Sequence, residues 1–254
     1  MEEIILYFSL KYEGDFMRIY NALIQKEKVD EELKANLMKQ LKSKYTTIFS
    51  EDYPKALKDI NCPPFVLYYY GDLSLTNNPC LALVGMRECS DYGKKMAAYF
   101  AEGLAKEGFT IVSGMAKGID AYSHWGAING HGKTIAVLGS GIEYCYPKGN
   151  QELYNLLKTK HLVLSEYPLL THPTKNTFPF RNRIVAGLSN SVVAIEAKRK
   201  SGTMITVGYA LEQGKDVYAI PSRIGDFDGC NYLISQGAKL VTCIKDIIEE
   251  QYMG

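Results

Sequence analysis

The chain has 254 residues, 46% of them hydrophobic, which is enough to bury a substantial core. Its formal net charge of +1 excludes a globally basic or acidic protein, so any anion binding must come from a local patch. The six cysteines show no CxxC pair and no zinc spacing, and no apolar run approaches the roughly 18 residues of a membrane span. With no segment resembling a secretion signal, we expect a cytoplasmic protein with free thiols and no metal, cofactor or membrane contact.

The N-terminal part differs in pattern from the rest. Charged helical segments are predicted near 13–25 and 29–43, and no strand ending in glycine is expected before about residue 75. A connector with three consecutive tyrosines at 68–70 follows. We place the boundary in the range 50–75 and divide the chain into a short helical subdomain, 1–50, and a larger domain, 51–254.

From residue 81 onward, short apolar runs alternate with segments of helical period. Continuous apolar strands alternating with helices predict an α/β fold, here an extended Rossmann-like, mostly parallel sheet with helices on both faces. The predicted strands are 81–87, 109–114, 134–141, 162–168, 191–197, 216–221 and 239–244. The predicted helices are 91–107, 118–129, 149–158, 179–189, 202–213 and 229–236.

Small and basic residues collect where the predicted strands end. Ligands of open parallel sheets bind outside these carboxyl ends, where helix N-termini direct free N–H groups outward. A single glycine at such a junction more often serves turn geometry, but several junctions with cationic side chains together predict an anion-binding rim. The residues concerned are Gly85, Arg87, Ser113, Gly114, Lys117, Gly118, Ser201, Gly202 and the run 198–200.

The segment 171–200 carries six basic residues against Glu196 alone. Within it, Arg181 and Arg183 stand near the start of a predicted helix, where the helix dipole already presents positive charge. Either these arginines pair internally with Glu166 or Glu196, or they are left for an anionic ligand. Both alternatives stay open from the residues alone.

The same helix has a predicted inward face and an outward one. Phe180, Ile184 and Leu188 recur at i, i+4 and i+8, which turns Arg181 and Asn182 toward the rim.

Phe178 precedes this helix in the prediction, close to Lys175 and Arg181. An exposed aromatic ring beside cations is the arrangement that binds single-stranded nucleic acid. The alternative is a hydrophobic staple that fixes the helix entry.

Catalytic interpretations are weaker. Asp120 and His124, at i and i+4, could form a base and its orienting partner, but a structural hydrogen bond between them is the favoured prediction. Neither a G-x-G-x-x-G fingerprint nor a P-loop occurs. A phosphoribohydrolase remains the alternative function, since "KSGTMIT" echoes the "PGGxGT" loop of such enzymes and Glu196 with Arg181 could act as the catalytic pair.

Several segments together resemble the DNA-processing protein A (DprA/Smf) family. They are "GMRECSDYG", "VSGMAKGIDAYSHWGAI", "GKTIAVLGSGIEYCYP", "SEYP", "FPFRNRIVAGLS", "EAKRKSGTMIT" and "NYLISQGA", in consistent order between about Tyr53 and Ala238. The resemblance implies a non-enzymatic protein that binds single-stranded DNA without sequence preference. It also implies loading of the RecA recombinase during natural transformation and a homodimer formed through the C-terminal part of the Rossmann-like domain.

The resemblance also implies which residues contact DNA. Arg87, Lys175 and Phe178 would be the principal contacts. The others expected in the same pocket are Gly85, Ser113, Gly114, Gly118, Arg181, Asn182, Arg183, Ser201 and Gly202.

Overall fold

A nine-stranded sheet is the centre of the molecule in a computed structural model that describes residues 1–253. Its order is β1-β2-β6-β5-β4-β3-β7-β8-β9, with β3 to β9 mutually parallel and with β2 and β1 added antiparallel at the β6 edge. The strands are β1 Lys44–Thr47, β2 Val66–Gly71, β3 Cys80–Gly85, β4 Thr110–Ser113, β5 Thr134–Val137, β6 Leu162–Ser165, β7 Ser191–Glu196, β8 Asp216–Ala219 and β9 Lys239–Leu240.

Ten α-helices accompany the sheet within the described range. Side-chain caps fix some of their starts: Asp15 accepts a hydrogen bond from the Arg18 N–H and Ser90 from the Gly93 N–H, satisfying otherwise free donors. The helices are α1 Glu2–Lys11, α2 Phe16–Ile24, α3 Glu31–Gln40, α4 Asp91–Lys106, α5 Ile119–Asn129, α6 Gln151–Lys160, α7 Thr177–Leu188, α8 Gly202–Glu212, α9 Gly229–Ser235 and α10 Ile244–Met253.

Both faces of the sheet are covered. Alternate residues of β3 point to opposite faces, so that Leu81 and Leu83 join the core cluster containing Phe100 of α4. Ala82 on the other face joins the cluster containing Ile184 of α7. This arrangement confirms the predicted Rossmann-like α/β fold, in which the parallel strands are apolar throughout because they are buried on both sides.

The chain reverses direction across the sheet next to β3. It runs outward from β3 through β4 and β5 to β6, then returns through α7 to β7 on the opposite side of β3. The carboxyl ends of β3 and β7 therefore form a topological switch point, the place where open α/β sheets bind ligands.

The structure adds elements that the pattern does not predict. All seven strands and six helices expected after residue 81 are present, as are helices near 13–25 and 29–43, but α1, β1, β2 and α10 are additional. The expectation of no glycine-ended strand before residue 75 is wrong, because β2 ends at Gly71 and its tyrosines pair with β6. The division at residue 50 stays a prediction; β1 precedes it and pairs with β2 after it.

Candidate functional site

A cavity of about 770 Å³ opens at the switch point. This volume falls within the range of roughly 300–1,000 Å³ typical of ligand pockets. The loops after β3 and β4, the entry of α7 and the N-terminus of α8 form its walls. Predicted site residues among its lining are Gly85, Arg87, Gly114, Lys175, Phe178, Arg181, Asn182, Ser201 and Gly202.

The rim combines aromatic rings with cations. The guanidinium carbon of Arg87 lies 4.9 Å from the centroid of the Phe178 ring, and this ring lies 5.5 Å from that of Tyr146. Arg87, Tyr146 and Lys175 are exposed and Phe178 is half-buried, so the group is open to a ligand. Because α7 begins at Thr177, Phe178 lies inside its first turn and not at the preceding position that a hydrophobic staple requires.

Arg181 forms the buried floor of the cavity. Its guanidinium donates hydrogen bonds to the carbonyl oxygen of Gly114, at 2.8 Å, and to that of Val137. Among the described residues no carboxylate forms an ion pair with Arg181. Burial lowers the pKa of Arg181 to about 10, and the charge of Asp120, which lines the same cavity, offsets part of this effect. A buried cation with incomplete compensation presents positive potential to the cavity.

Two neighbours position this cation. Asn182 accepts a hydrogen bond from Nε of Arg181 at 3.1 Å and reaches the carbonyl of Gly202 at 3.4 Å, which connects α7 to the start of α8. Gly114 lies so close to Arg181 that a Cβ at this position would overlap the guanidinium. The absence of a side chain at Gly114 therefore makes room for the guanidinium of Arg181 and not for a ligand.

Arg183 does not line the cavity. It is 1% exposed and forms a bidentate ion pair with Glu166, with Nη1–Oε1 at 2.8 Å and Nη2–Oε2 at 2.6 Å. Its Nε donates to the carbonyl of Cys62 at 2.9 Å. Internal pairing, one of the two alternatives open from the sequence, therefore accounts for this charge.

Ser113 and Gly118 also lie behind the cavity wall. The Ser113 hydroxyl donates to the carbonyl of Leu83 at 2.7 Å and ties β4 to β3. Gly118 has φ +74°, and a Cβ there would overlap the carbonyl oxygens of Met86 and Arg87. It thus allows the start of α5 to pack directly beneath the loop that carries Arg87.

The predicted hydrogen bond between Asp120 and His124 is wrong. Nδ1 of His124 lies 2.6 Å from the Thr134 hydroxyl, while Asp120 accepts a hydrogen bond from the Ala116 N–H at 3.2 Å. Burial lowers the pKa of His124 to about 3, and burial also raises that of Asp120. The two side chains therefore do not form a base and its orienting partner.

The pair required by the phosphoribohydrolase alternative is not assembled around the cavity. Glu196 is buried and accepts hydrogen bonds from the N–H and hydroxyl of Ser90, at 2.8 and 2.5 Å. Unlike Arg181, it is absent from the described lining. Its carboxylate instead anchors the N-terminus of α4, where negative charge is favourable.

Sequence reasoning missed Tyr146, Thr174 and Thr206 as lining residues. Tyr146 lies in the loop after β5, in the cluster "GSGIEYCYP", where an aromatic side chain at a strand end was an available signal. The predicted rim residues Lys117 and 198–200 are exposed but outside the lining. Their contribution to binding stays a prediction.

Other expectations concern the whole chain. All six cysteines are unpaired in the structure. Within residues 1–253, no helix combines the length and the apolar character needed to cross a bilayer. In the same range, no group of three His, Cys, Asp or Glu side chains converges to hold a metal ion.

The fold and cavity define a Rossmann-like binding protein whose site suits an anionic ligand that carries aromatic rings. The sequence model of the family described as DNA recombination-mediator protein A matches residues 44–252. A DNA processing protein DprA of Streptococcus pneumoniae is 47% identical over 206 residues, which cover 80% of this chain and 73% of that protein. The chain therefore belongs to the DNA recombination-mediator protein A family.

Two solved structures agree with this assignment. The DNA processing protein A of Streptococcus pneumoniae superposes with a TM-score of 0.84 at 40% identity, covering 98% of this chain and 93% of that one. The DNA processing protein A of Helicobacter pylori, described for its single-stranded DNA binding mode, superposes with a TM-score of 0.76 at 32% identity, covering 84% and 97%.

Proposed function

We propose that the protein binds single-stranded DNA in the switch-point cavity without sequence preference and loads a RecA-type recombinase onto it. The observation that carries the proposal is the rim formed by Arg87, Phe178 and Tyr146 above the buried cation of Arg181. Rings provide stacking surfaces for any base, and the cations neutralise the backbone. Family membership and the Helicobacter pylori relative's described binding mode support the same function.

The shape of the rim favours a single strand over a duplex. Phe178 is half-buried, with Arg87 over its ring and the ring of Tyr146 beside it, so a base must leave its own stack before it can lie against this group. In a duplex the base faces are already stacked on each other, and only edges and phosphates are accessible. Every base has a face that can stack on the rings of the rim, which agrees with binding any sequence.

The proposal includes a non-enzymatic role, a homodimer and action in the cytoplasm. The enzyme alternative lacks support at the cavity, since Glu196 is engaged with Ser90. The C-terminal part exposes apolar side chains around the expected dimer region, with Leu211 61% exposed and Leu240 51% exposed. A homodimer through this region would cover these two side chains. A dimer would have two binding sites for single-stranded DNA.

Anisotropy with a labelled oligo-dT and a duplex of equal length tests strand binding. We expect strong preference for the single strand and a loss of about tenfold or more for Phe178→Ala, because stacking contributes about 1–3 kcal/mol per base. The matched control is Tyr99→Ala, an exposed ring on α4 outside the cavity. Equal affinity for duplex and single strand, or equal losses in both variants, would contradict the proposal.

A second pair of assays distinguishes recombinase loading from the phosphoribohydrolase alternative. RecA ATPase activity on single-stranded DNA coated with a single-strand binding protein should rise when the wild type is added, and Phe178→Ala should not support the rise. Release of free base from purine nucleoside monophosphates, measured by chromatography, should stay at background. Base release abolished by Arg181→Lys would favour the phosphoribohydrolase instead.

A further inference from the structure

A second cavity, of about 370 Å³, lies between the N-terminal helices and the entry of α7. Thr174 lines both cavities, so the two openings adjoin. We call the second one the N-terminal groove; its ring-bearing lining residues are Tyr12, Phe16, Tyr167, His172 and Phe180.

Several rings of the N-terminal groove pack against neighbouring aromatic side chains. Phe16 stacks on Phe65 with centroids 4.9 Å apart and meets Phe180 edge-on at 6.2 Å. The His172 ring lies 4.8 Å from that of Tyr144 and is exposed. Such fixed rings lose little side-chain entropy on binding, which makes them efficient stacking surfaces.

A cation lies over one of these rings. The guanidinium carbon of Arg18 is 4.5 Å from the centroid of Tyr12, and Arg18 is exposed. This arrangement repeats the stack of Arg87 on Phe178 in the first cavity. Arginine planes and aromatic rings are the surfaces on which unpaired bases stack.

The charges of the groove favour bases over phosphates. Arg18 is accompanied by Glu13 and Asp15, and the Asp15 carboxylate is engaged as the N-cap of α2 at 2.9 Å from the Arg18 backbone N. The charged lining of the groove therefore sums to −1, whereas that of the first cavity, Arg87, Lys175 and Arg181 against Glu88 and Asp120, sums to +1. The groove offers stacking with little phosphate neutralisation.

We propose that the bases of a DNA strand leaving the switch-point cavity stack in the N-terminal groove, so that α2 and the connection between α1 and α2 extend the strand-binding site. The inference rests on the proposed function and deepens it. Continuity through Thr174 and the second guanidinium–aromatic stack specify the strand as the occupant. A short strand would fill only the first cavity, whereas a longer one would reach both.

The test compares oligo-dT of about 4 nucleotides with one of about 16 nucleotides, a span typical of single-strand sites. The variant is Arg18→Ala/His172→Asn, which removes two exposed side chains. The control is Lys28→Ala/His131→Asn, a similar exposed pair outside the groove. Thermal unfolding of each variant checks that the fold is intact.

We expect the groove variant to bind the long strand about fivefold to tenfold more weakly than wild type and the short strand equally well. Ultraviolet crosslinking of a long strand containing 5-iodouracil should label Tyr12 or His172. Unchanged long-strand affinity without such labelling would overturn the inference, as would equal losses with both lengths. Failure of the proposed function is distinct, because wild type would then bind neither strand.

Discussion

The buried pair of Arg183 and Glu166 joins the first turns of α7 to the end of β6. The two side chains are 2% and 3% exposed, and both guanidinium Nη atoms meet the carboxylate. Removing both charges from water is costly, and their attraction offsets the cost only while the geometry holds. The pair therefore fixes the helix that carries Phe178 and Arg181, although neither of its members lines the cavity.

Breaking this pair should destabilise the fold. Glu166→Gln leaves the Arg183 charge buried without a counter-charge, and we expect the free energy of unfolding in urea to fall by about 3–5 kcal/mol. The control is Glu249→Gln, which breaks the exposed pair with Lys245 and should cost less than about 1 kcal/mol. Similar losses in the two variants would refute the structural role.

Two buried histidines should make the fold sensitive to acid. Burial lowers the pKa of His124 to about 3 and that of His161 to about 4. Between these values and the unfolded value of about 6.5, only the unfolded chain binds the protons, so stability falls as pH decreases. Each histidine contributes a slope of up to about 1.4 kcal/mol per pH unit.

His124→Asn should therefore flatten the dependence of unfolding free energy on pH between about pH 6 and pH 4. Urea titrations at several pH values measure it. His131→Asn, which changes an exposed loop histidine, should leave the slope as in wild type. A wild-type slope in His124→Asn would show that this histidine does not titrate differently in the two states.

For single residues, the sequence indicates which side chains are important better than it indicates what those side chains contact. The helical period turns Arg181 toward the rim, but it identifies no partner for either Arg181 or Arg183. Their contacts differ because the two side chains reach different strand ends. Arg181 contacts Gly114 after β4, and Arg183 contacts Glu166 after β6. Those contacts join residues 67 and 17 positions apart, which no local rule relates.

Among the elements, the start of α5 supports the loop between β3 and α4. Gly118 precedes α5 at φ +74°, directly against the carbonyls of Met86 and Arg87. A side chain here would both strain the backbone and displace the loop. The position of Arg87 at the rim thus depends on a residue of another element.

Gly118→Ala should lower both stability and DNA affinity. We expect a stability loss of about 1–3 kcal/mol from the unfavourable backbone conformation, with weaker oligo-dT binding because Arg87 moves. Gly208→Ala is the control, since it lies in α8 with open space at its Cβ and should be neutral or stabilising. Normal DNA affinity in a folded Gly118→Ala protein would contradict the supporting role.

β2 and α1 were not predicted, because each depends on contacts with residues far away in the sequence. β2 has the sequence VLYYYG and becomes a strand by pairing with β6, some 90 residues later in the chain. α1 is short and gains its stability from burying Ile5, Leu6 and Leu10 against the sheet. The parallel strands, in contrast, each carry a continuous apolar run that local pattern reveals.

For the whole molecule, the order of the strands determines where the site lies. Apolar strands alternating with helices predict the layers, and the strand ends predict the edge on which ligands bind. The pattern does not specify strand order, so it cannot predict that β3 and β7 are neighbours. That adjacency brings Arg87 and the start of α8 into one cavity with the entry of α7.

The cationic and aromatic cavity at this switch point is the proposed binding site for single-stranded DNA. Anisotropy of a labelled oligo-dT over a salt series, with wild type and Arg87→Ala, tests this assignment. We predict that the logarithm of wild-type affinity falls with the logarithm of salt concentration by about 0.7 per neutralised phosphate, and that Arg87→Ala binds more weakly with a shallower slope. Salt-independent binding, or equal affinity and slope in the variant, would contradict strand binding at this cavity.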